Sequence, residues 1–121
     1  MATKVVLAAL VLVANSASVL AGETRVEYSS AQNFKNYALS TCIADGYVSE
    51  EVKRDGAAAA RAYLEFGSLP LEAHTEATNL GRQFLKKVYP SLSGEPLVLM
   101  KCIDFYHSKE LDRLARKYRG K

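Results

Sequence analysis

The stretch AQNFKNYALSTCIADG, residues 31–46, decides the fold. Its apolar and larger side chains recur at the spacing of one helix face, and Gly46 is a typical residue for the C-terminal end of a helix. Cys42, one of two cysteines in the chain, falls on that same face. The sequence therefore predicts a helix that carries its cysteine among its packing residues. The other residues of this face are Phe34, Tyr37, Ala38 and Thr41.

Four further segments carry helical signals. Ser49 and Ser108 are good N-caps, Pro70 suits the first turn of a helix, and Pro90 must end one. The sequence shows no convincing strand alternation, so we expect an all-α fold, a compact bundle of about five helices. The four further predicted helices are residues 50–67, 71–88, 97–107 and 109–118.

The apolar positions also predict which helix faces are buried. The second helix carries small residues on its apolar face, which should let a neighbouring backbone approach closely. The predicted stripe of the second helix is Val52, Gly56, Ala59, Tyr63 and Phe66, and that of the third is Ala73, Ala77, Leu80, Phe84 and Val88. The segment 97–107 is apolar almost throughout, so we expect a largely buried helix there.

Residues 1–21 have the pattern of a secretory signal peptide. Lys4 precedes an apolar run over 5–14, and Val19 and Ala21 are suitable side chains for a cleavage site. The run is too short to span a bilayer, which takes about 20 apolar residues. We therefore expect cleavage before Gly22, which leaves residues 22–121 as a single helical domain in an oxidising compartment.

Export to an oxidising compartment would favour a disulfide between the two cysteines. In an oxidising compartment an even cysteine count favours a disulfide, and the only intramolecular pairing is Cys42 with Cys102. Each cysteine follows a leucine by three positions, in LSTCIAD and LMKCID, so both can lie on a packed helix face. Closing a loop of about sixty residues would stabilise the fold by about 4 kcal/mol in the chain-entropy model.

The stretch LMKCIDFYH, residues 99–107, also suggests a cysteine hydrolase, because it gathers Cys102, Asp104 and His107. Residues five apart on a helix point about 140 degrees apart, so Cys102 and His107 cannot pair on a continuous helix. His74 remains a possible distant base. The structural disulfide is the favoured interpretation, and a periplasmic cysteine hydrolase using Cys102 stays as an alternative.

Other classes of site find little support in the sequence. The two histidines match no metal-ligand spacing, and there is no Gly-rich phosphate loop, so we expect no metal and no cofactor. The formal net charge is +3, and removing Lys4 with the leader lowers it to +2, which does not suggest a nucleic-acid partner. What remains is a surface whose composition suits protein binding, formed by the polar face of the third helix and the loop 89–96.

Two long runs carry a family resemblance. They are NYALSTCIADGYVSEEVKRDGAAAARAYLEFGSLPLEAH, residues 36–74, and YPSLSGEPLVLMKCIDFYHSKELDRLARKY, residues 89–118. Both closely resemble the immunity proteins that neutralise type VI secretion amidase effectors, specifically the group paired with the fourth amidase family. The two cysteine segments and the turn GSLPLE, residues 67–72, are the most specific parts.

The resemblance implies a small all-α periplasmic protein that has no catalytic activity and acts as a homodimer. Its partner would be a peptidoglycan amidase with a cysteine–histidine active site, delivered by neighbouring sister cells. Two protomers and two effectors would form a heterotetramer, in which a helix and a protruding loop of the immunity protein cover the effector's groove. An inhibitor of another cell-wall hydrolase, such as a lysozyme, is a further alternative.

The best-matching segments place the effector-binding site on the third helix and the following loop. We expect the loop tip to enter the groove and the polar helix face to contact its rim. Two flanking prolines lower the conformational entropy that the loop loses on binding. The predicted tip is Ser91, Leu92, Ser93, Gly94 and Glu95, with Tyr89 at its base, and the predicted rim contacts are Glu72, Glu76, Asn79 and Gln83.

Overall fold

The computed structural model describes residues 22–119, and this part of the chain contains five helices and no strand. The helices are α1 (Ser30–Gly46), α2 (Glu50–Phe66), α3 (Leu71–Leu85), α4 (Val98–Tyr106) and α5 (Lys109–Arg119). The all-α prediction is confirmed. The predicted signal peptide, residues 1–21, and the last two residues of the predicted domain lie outside the described residues.

Local capping explains where most of these helices begin. The side chains of Ser49 and Ser108 accept hydrogen bonds from backbone N–H groups three residues further on, as the sequence predicts. α1 begins with a reciprocal capping box between Ser29 and Gln32. These bonds satisfy N–H groups that the first turn of a helix leaves without an intrahelical partner.

α3 ends three residues earlier than predicted. Its last turn tightens, with the Lys86 N–H bonded to Arg82 and Gln83 and the Lys87 N–H bonded to Phe84, and the chain then leaves as a loop. Val88, predicted on the buried face, is 94% exposed as a result.

α1 is the centre of the bundle and contacts each of the other four helices. The disulfide between Cys42 and Cys102 joins it to α4, and both cysteines are buried. The predicted pairing is therefore confirmed. Around it lies a core of small and aromatic side chains from α1, α3, α4 and α5. The other buried members are Phe34, Ala38, Ala73, Ala77, Phe84, Phe105, Leu111, Ala115 and Tyr118.

α2 packs closely against α1, as its small residues predict. A Cβ atom at Gly56 would lie 3.1 Å from the carbonyl oxygen of Ser40, so only glycine fits without displacement. Ala60 is the other buried residue of α2, whereas Phe66, predicted on the stripe, is half exposed. Phe66 ends α2 at the edge of the bundle, where its ring lies 4.0 Å from the Arg25 guanidinium carbon.

The prediction of a largely buried α4 is wrong. Only Cys102 and Phe105 of this helix are buried, while Leu99, Met100 and Ile103 are 44–52% exposed. α4 packs on one side against α1 and α3, and no other helix within residues 22–119 packs extensively against its opposite side. No helix within residues 22–119 has the length and the apolar composition that a bilayer span requires.

Candidate protein-binding surfaces

The polar face of α3 forms one wall of a cleft with α5. The cleft has a volume of about 360 Å³ and is floored by the half-buried side chains of Leu80 and Leu114. Of the predicted rim contacts, three line it and Glu72 does not. The remaining lining residues are Glu76, Asn79 and Gln83 from α3 and Glu110 and Arg113 from α5. We call this the α3–α5 cleft.

Glu76 is already engaged within the protein. Its carboxylate accepts a hydrogen bond from the Tyr118 hydroxyl and lies 3.1 Å from Lys117 Nζ. These hydrogen bonds raise the pKa of both Tyr118 and Lys117, because the carboxylate favours the protonated form of each partner. Glu76 therefore holds α5 against α3, in addition to lining the cleft.

The loop 89–96 presents a sharply turned tip. Leu92 is fully exposed, and Gly94 has a φ of +77°, a conformation that glycine adopts without a Cβ penalty. The hydroxyls of Ser91 and Ser93 lie 3.1 Å apart, and Ser93 Oγ accepts from the Glu95 N–H. The tip is thus shaped by its own short-range bonds and carries an apolar side chain into solvent.

The base of this loop is fixed to α4. The Tyr89 hydroxyl donates a hydrogen bond of 2.6 Å to Asp104 Oδ2, and this bond raises the pKa of Tyr89 above its usual value. Lys101 Nζ, on the same helix, lies 6.0 Å from the centre of the Tyr89 ring. The structure therefore shows Tyr89 as an anchor of the loop.

A second, more apolar cleft lies on the uncovered side of α4. It has a volume of about 750 Å³ and runs between α4, the α1–α2 connection and the end of the loop. Its most exposed apolar side chains are Val48, Leu99, Met100 and Ile103, which we call the α4 face. Helix periodicity alone does not predict this surface, although the run 97–103 holds more apolar residues than one buried helix face can use.

The structure places the two predicted binding segments beside different helices. The polar face of α3 borders α5, whereas Glu95 and Pro96 of the loop line the cleft beside α4. The sequence correctly marks both segments as exposed. It does not reveal their neighbours, because those depend on how the helices pack.

The structure does not support the alternative of a cysteine hydrolase that uses Cys102. Cys102 is buried in the disulfide and offers no thiol, while His107 is exposed at the end of α4. His74 is 1% exposed, with its ring centre 5.4 Å from that of Phe34 and 4.6 Å from that of Tyr37. Within residues 22–119, His, Cys, Asp and Glu side chains form no group of three that could hold a metal ion.

Residues 22–119 thus form a small helical protein, tied by a disulfide, with candidate protein-binding surfaces. A family model described as type VI secretion system (T6SS), amidase immunity protein matches residues 32–115. The chain belongs to this family of T6SS amidase immunity proteins. The resemblance drawn from the sequence is confirmed, and so is the prediction that the chain is not an enzyme, since the family consists of immunity proteins.

Solved structures show the same relationship. A chain in the Tae4/Tai4 effector–immunity system from Salmonella typhimurium is 36% identical, with a TM-score of 0.72, covering 76% of this chain and 91% of that one. A chain in the Tae4–Tai4 complex from Enterobacter cloacae is 26% identical, with a TM-score of 0.69, and the match covers 77% of this chain and 98% of that one. A structure of type VI-secreted toxins and self-resistance proteins from Serratia marcescens shares the fold at 24% identity, with a TM-score of 0.68, covering 81% and 87%. No curated protein sequence matches the chain.

Proposed function

We propose that this protein binds a peptidoglycan amidase delivered by the T6SS of sister cells and inhibits it by blocking the active-site groove. The observation that carries the proposal is the loop 89–96, whose base is bonded to α4 while Leu92 at its tip is fully exposed. Family membership supports an amidase as the partner, in preference to a lysozyme or another cell-wall hydrolase.

The physical logic is preorganisation. A groove that accepts an extended peptide can be filled by a loop that is already ordered, because little conformational entropy is then lost on binding. Pro90 and Pro96 restrict the loop at both ends, and the Tyr89–Asp104 bond fixes its direction. The tip, residues 91–95, would enter the groove. The polar face of α3 would contact the rim, with Glu72, Asn79 and Gln83 exposed for this purpose.

The test compares two exposed apolar side chains near each other in the chain. Leu92→Ser alters the tip, and Val88→Ser alters an equally exposed side chain just before the loop. We expect Leu92→Ser to weaken binding of the co-encoded amidase about tenfold or more and Val88→Ser to leave it unchanged. Replacing residues 91–95 by a short Gly linker should abolish inhibition, with circular dichroism confirming the fold. Unchanged affinity in the linker variant would contradict the proposal.

We further propose that the free protein is a homodimer and that two protomers bind two effectors as a heterotetramer. The α4 face supports this, because exposed apolar patches of this kind mark interaction sites. Homodimer interfaces are also more apolar than non-obligate interfaces between different proteins. The small residues of α2 are a weaker candidate, since Gly56 and Ala60 are already buried within the protomer.

Light scattering after gel filtration tests the dimer. Met100→Glu places a charge in the α4 face and should halve the measured mass, whereas Val88→Glu places the same charge on an exposed residue outside that face. A dimer that persists in Met100→Glu at micromolar concentration would contradict the proposed surface.

We also propose that the protein works in the periplasm after cleavage of residues 1–21. The buried disulfide supports an oxidising compartment, since cytosolic thiols are kept reduced. Mass spectrometry of protein released by osmotic shock should give a chain that begins at Gly22 and has no free thiol. A full-length chain in the cytosolic fraction would contradict this location.

A further inference from the structure

α5 forms the second wall of the α3–α5 cleft, beside the polar face of α3. Asn79 and Gln83 stand on one side, and Glu110 and Arg113 stand on the other. Packed helices lie about 8–10 Å apart, and one side of a stable interface holds about 20–30 residues. A partner surface centred on the polar face of α3 therefore reaches α5 as well.

This second wall is held in place by bonds near both ends of α5. Tyr118 and Lys117 bond to Glu76 of α3 at one end of the helix. Near the other end, Asp112 forms a 2.9 Å ion pair with Lys35 of α1. α5 is thus fixed to two neighbours, and its cleft-lining side chains are presented by a rigid helix, which lowers the cost of binding.

The charged side chains of α5 that line the cleft are Glu110 and Arg113. Lys117 is paired with Glu76 and Asp112 with Lys35, so these charges are already balanced. The Arg113 side chain lines the cleft and is exposed, and within residues 22–119 its guanidinium has no ion-pair partner. Three more exposed basic residues, Lys109, Arg116 and Arg119, lie on the same helix.

We propose that α5 belongs to the amidase-binding surface and that Arg113 binds a carboxylate at the rim of the effector's groove. This inference rests on the proposed function and adds α5 to it. A guanidinium binds a carboxylate through two parallel hydrogen bonds, and arginine is enriched among the residues that dominate protein interfaces. The amides of Asn79 and Gln83, across the cleft, bind polar groups that flank this carboxylate, over the apolar floor of Leu80 and Leu114.

A charge-matched pair of variants tests the proposal. Arg113→Glu reverses the charge in the cleft, and Arg116→Glu makes the same change one turn later, on an exposed residue that does not line the cleft. With the co-encoded amidase, isothermal titration should show about a tenfold or larger loss of affinity for Arg113→Glu and a loss within about threefold for Arg116→Glu. Arg113→Lys should fall between wild type and Arg113→Glu, because it keeps the charge but loses the paired hydrogen bonds.

Salt dependence gives a second readout. The wild-type affinity should fall as salt is raised, and the affinity of Arg113→Glu should fall less, since an attractive charge pair has been removed. Equal affinities for Arg113→Glu and wild type, with the loop variants still impaired, would overturn the role of α5 and leave the proposed function standing. Failure of the wild-type protein to bind the amidase at all would overturn both. Thermal melting of each variant verifies that it is folded.

Discussion

The Tyr118 hydroxyl donates a hydrogen bond to the carboxylate of Glu76, and this bond joins residues 42 positions apart in the chain. Lys117 Nζ bonds to the same carboxylate from the neighbouring position. Together these bonds tie the last turn of α5 to α3, and Tyr118 itself is buried, with 2% of its surface exposed. These bonds also fix one end of the α3–α5 cleft.

Because of this bond, we expect the free energy of unfolding to fall at alkaline pH. Bonding to Glu76 raises the pKa of Tyr118 above its usual value of about 10, so the folded state holds the phenolic proton more tightly than the unfolded chain. The contribution is complete below about pH 10 and is lost as the pH rises through the raised pKa. The melting temperature of wild type should exceed that of Tyr118→Phe at about pH 8, and the difference should shrink toward about pH 11.

The matched control for this prediction removes the carboxylate. In a Glu76→Gln background, substituting Tyr118 by Phe should give a difference in melting temperature that shrinks less over the same pH range, because burial alone then raises the pKa of Tyr118. A wild-type difference that stays constant from about pH 8 to about pH 11 would show that this bond does not control the titration of Tyr118.

The disulfide should supply a large share of the stability. Replacing both Cys42 and Cys102 by alanine frees a loop that spans 60 residues, which costs about 4 kcal/mol of unfolding free energy in the chain-entropy model. Unfolding in guanidinium chloride measures this loss. Under reducing conditions, the unfolding free energy of wild type should approach that of the double variant. A loss below about 1 kcal/mol would mean that the unfolded chain is not much restricted by the crosslink.

A third prediction concerns Gly81, which faces an aromatic ring. A Cβ atom there would lie 2.9 Å from Phe105 Cε2, and Phe105 is fully buried with its ring centre 5.3 Å from that of Phe84. Alanine would normally favour a helix interior by about 1 kcal/mol over glycine. Here the new methyl group would crowd a buried ring, so we expect Gly81→Ala to lower the unfolding free energy by about 1 kcal/mol or more.

Shortening the facing side chain tests this explanation. In a Phe105→Leu background, the same Gly81→Ala substitution should become neutral or stabilising, since the crowded ring atoms are absent. Chemical denaturation of the four variants gives the coupling between the two sites. Equal effects in both backgrounds would show that crowding against Phe105 is not the cause.

The helices and the disulfide could be predicted because their signals are local or compositional. Ser49 and Ser108 cap helices through residues three positions on, and two cysteines leave one intramolecular pairing. The exposure of Leu99 and Met100 could not be predicted in this way. Helix periodicity shows which side chains share a face, but burial depends on whether another element covers that face.

The candidate site was predictable to the same extent. The composition of the loop and of the polar face of α3 marks both as exposed, yet nothing in the sequence pairs Glu76 with Tyr118 or sets Arg113 across from Gln83. These relationships arise from packing between helices that are about 30 to 40 residues apart in sequence, so local patterns carry no signal for them.

The last prediction separates two roles for Tyr89, which the sequence suggested as an effector contact and the structure shows bonded to Asp104. If Tyr89 acts as the anchor of the loop, Tyr89→Phe should change the unfolding free energy by less than about 1 kcal/mol, because the bond to Asp104 is exposed to solvent. It should nevertheless weaken amidase binding about five- to tenfold, since the loop must then be ordered at the moment of binding. Asp104→Ala should have the same effect, and the double variant should bind no more weakly than either single variant. Additive losses in titrations of the three variants would show instead that the Tyr89 hydroxyl contacts the amidase directly.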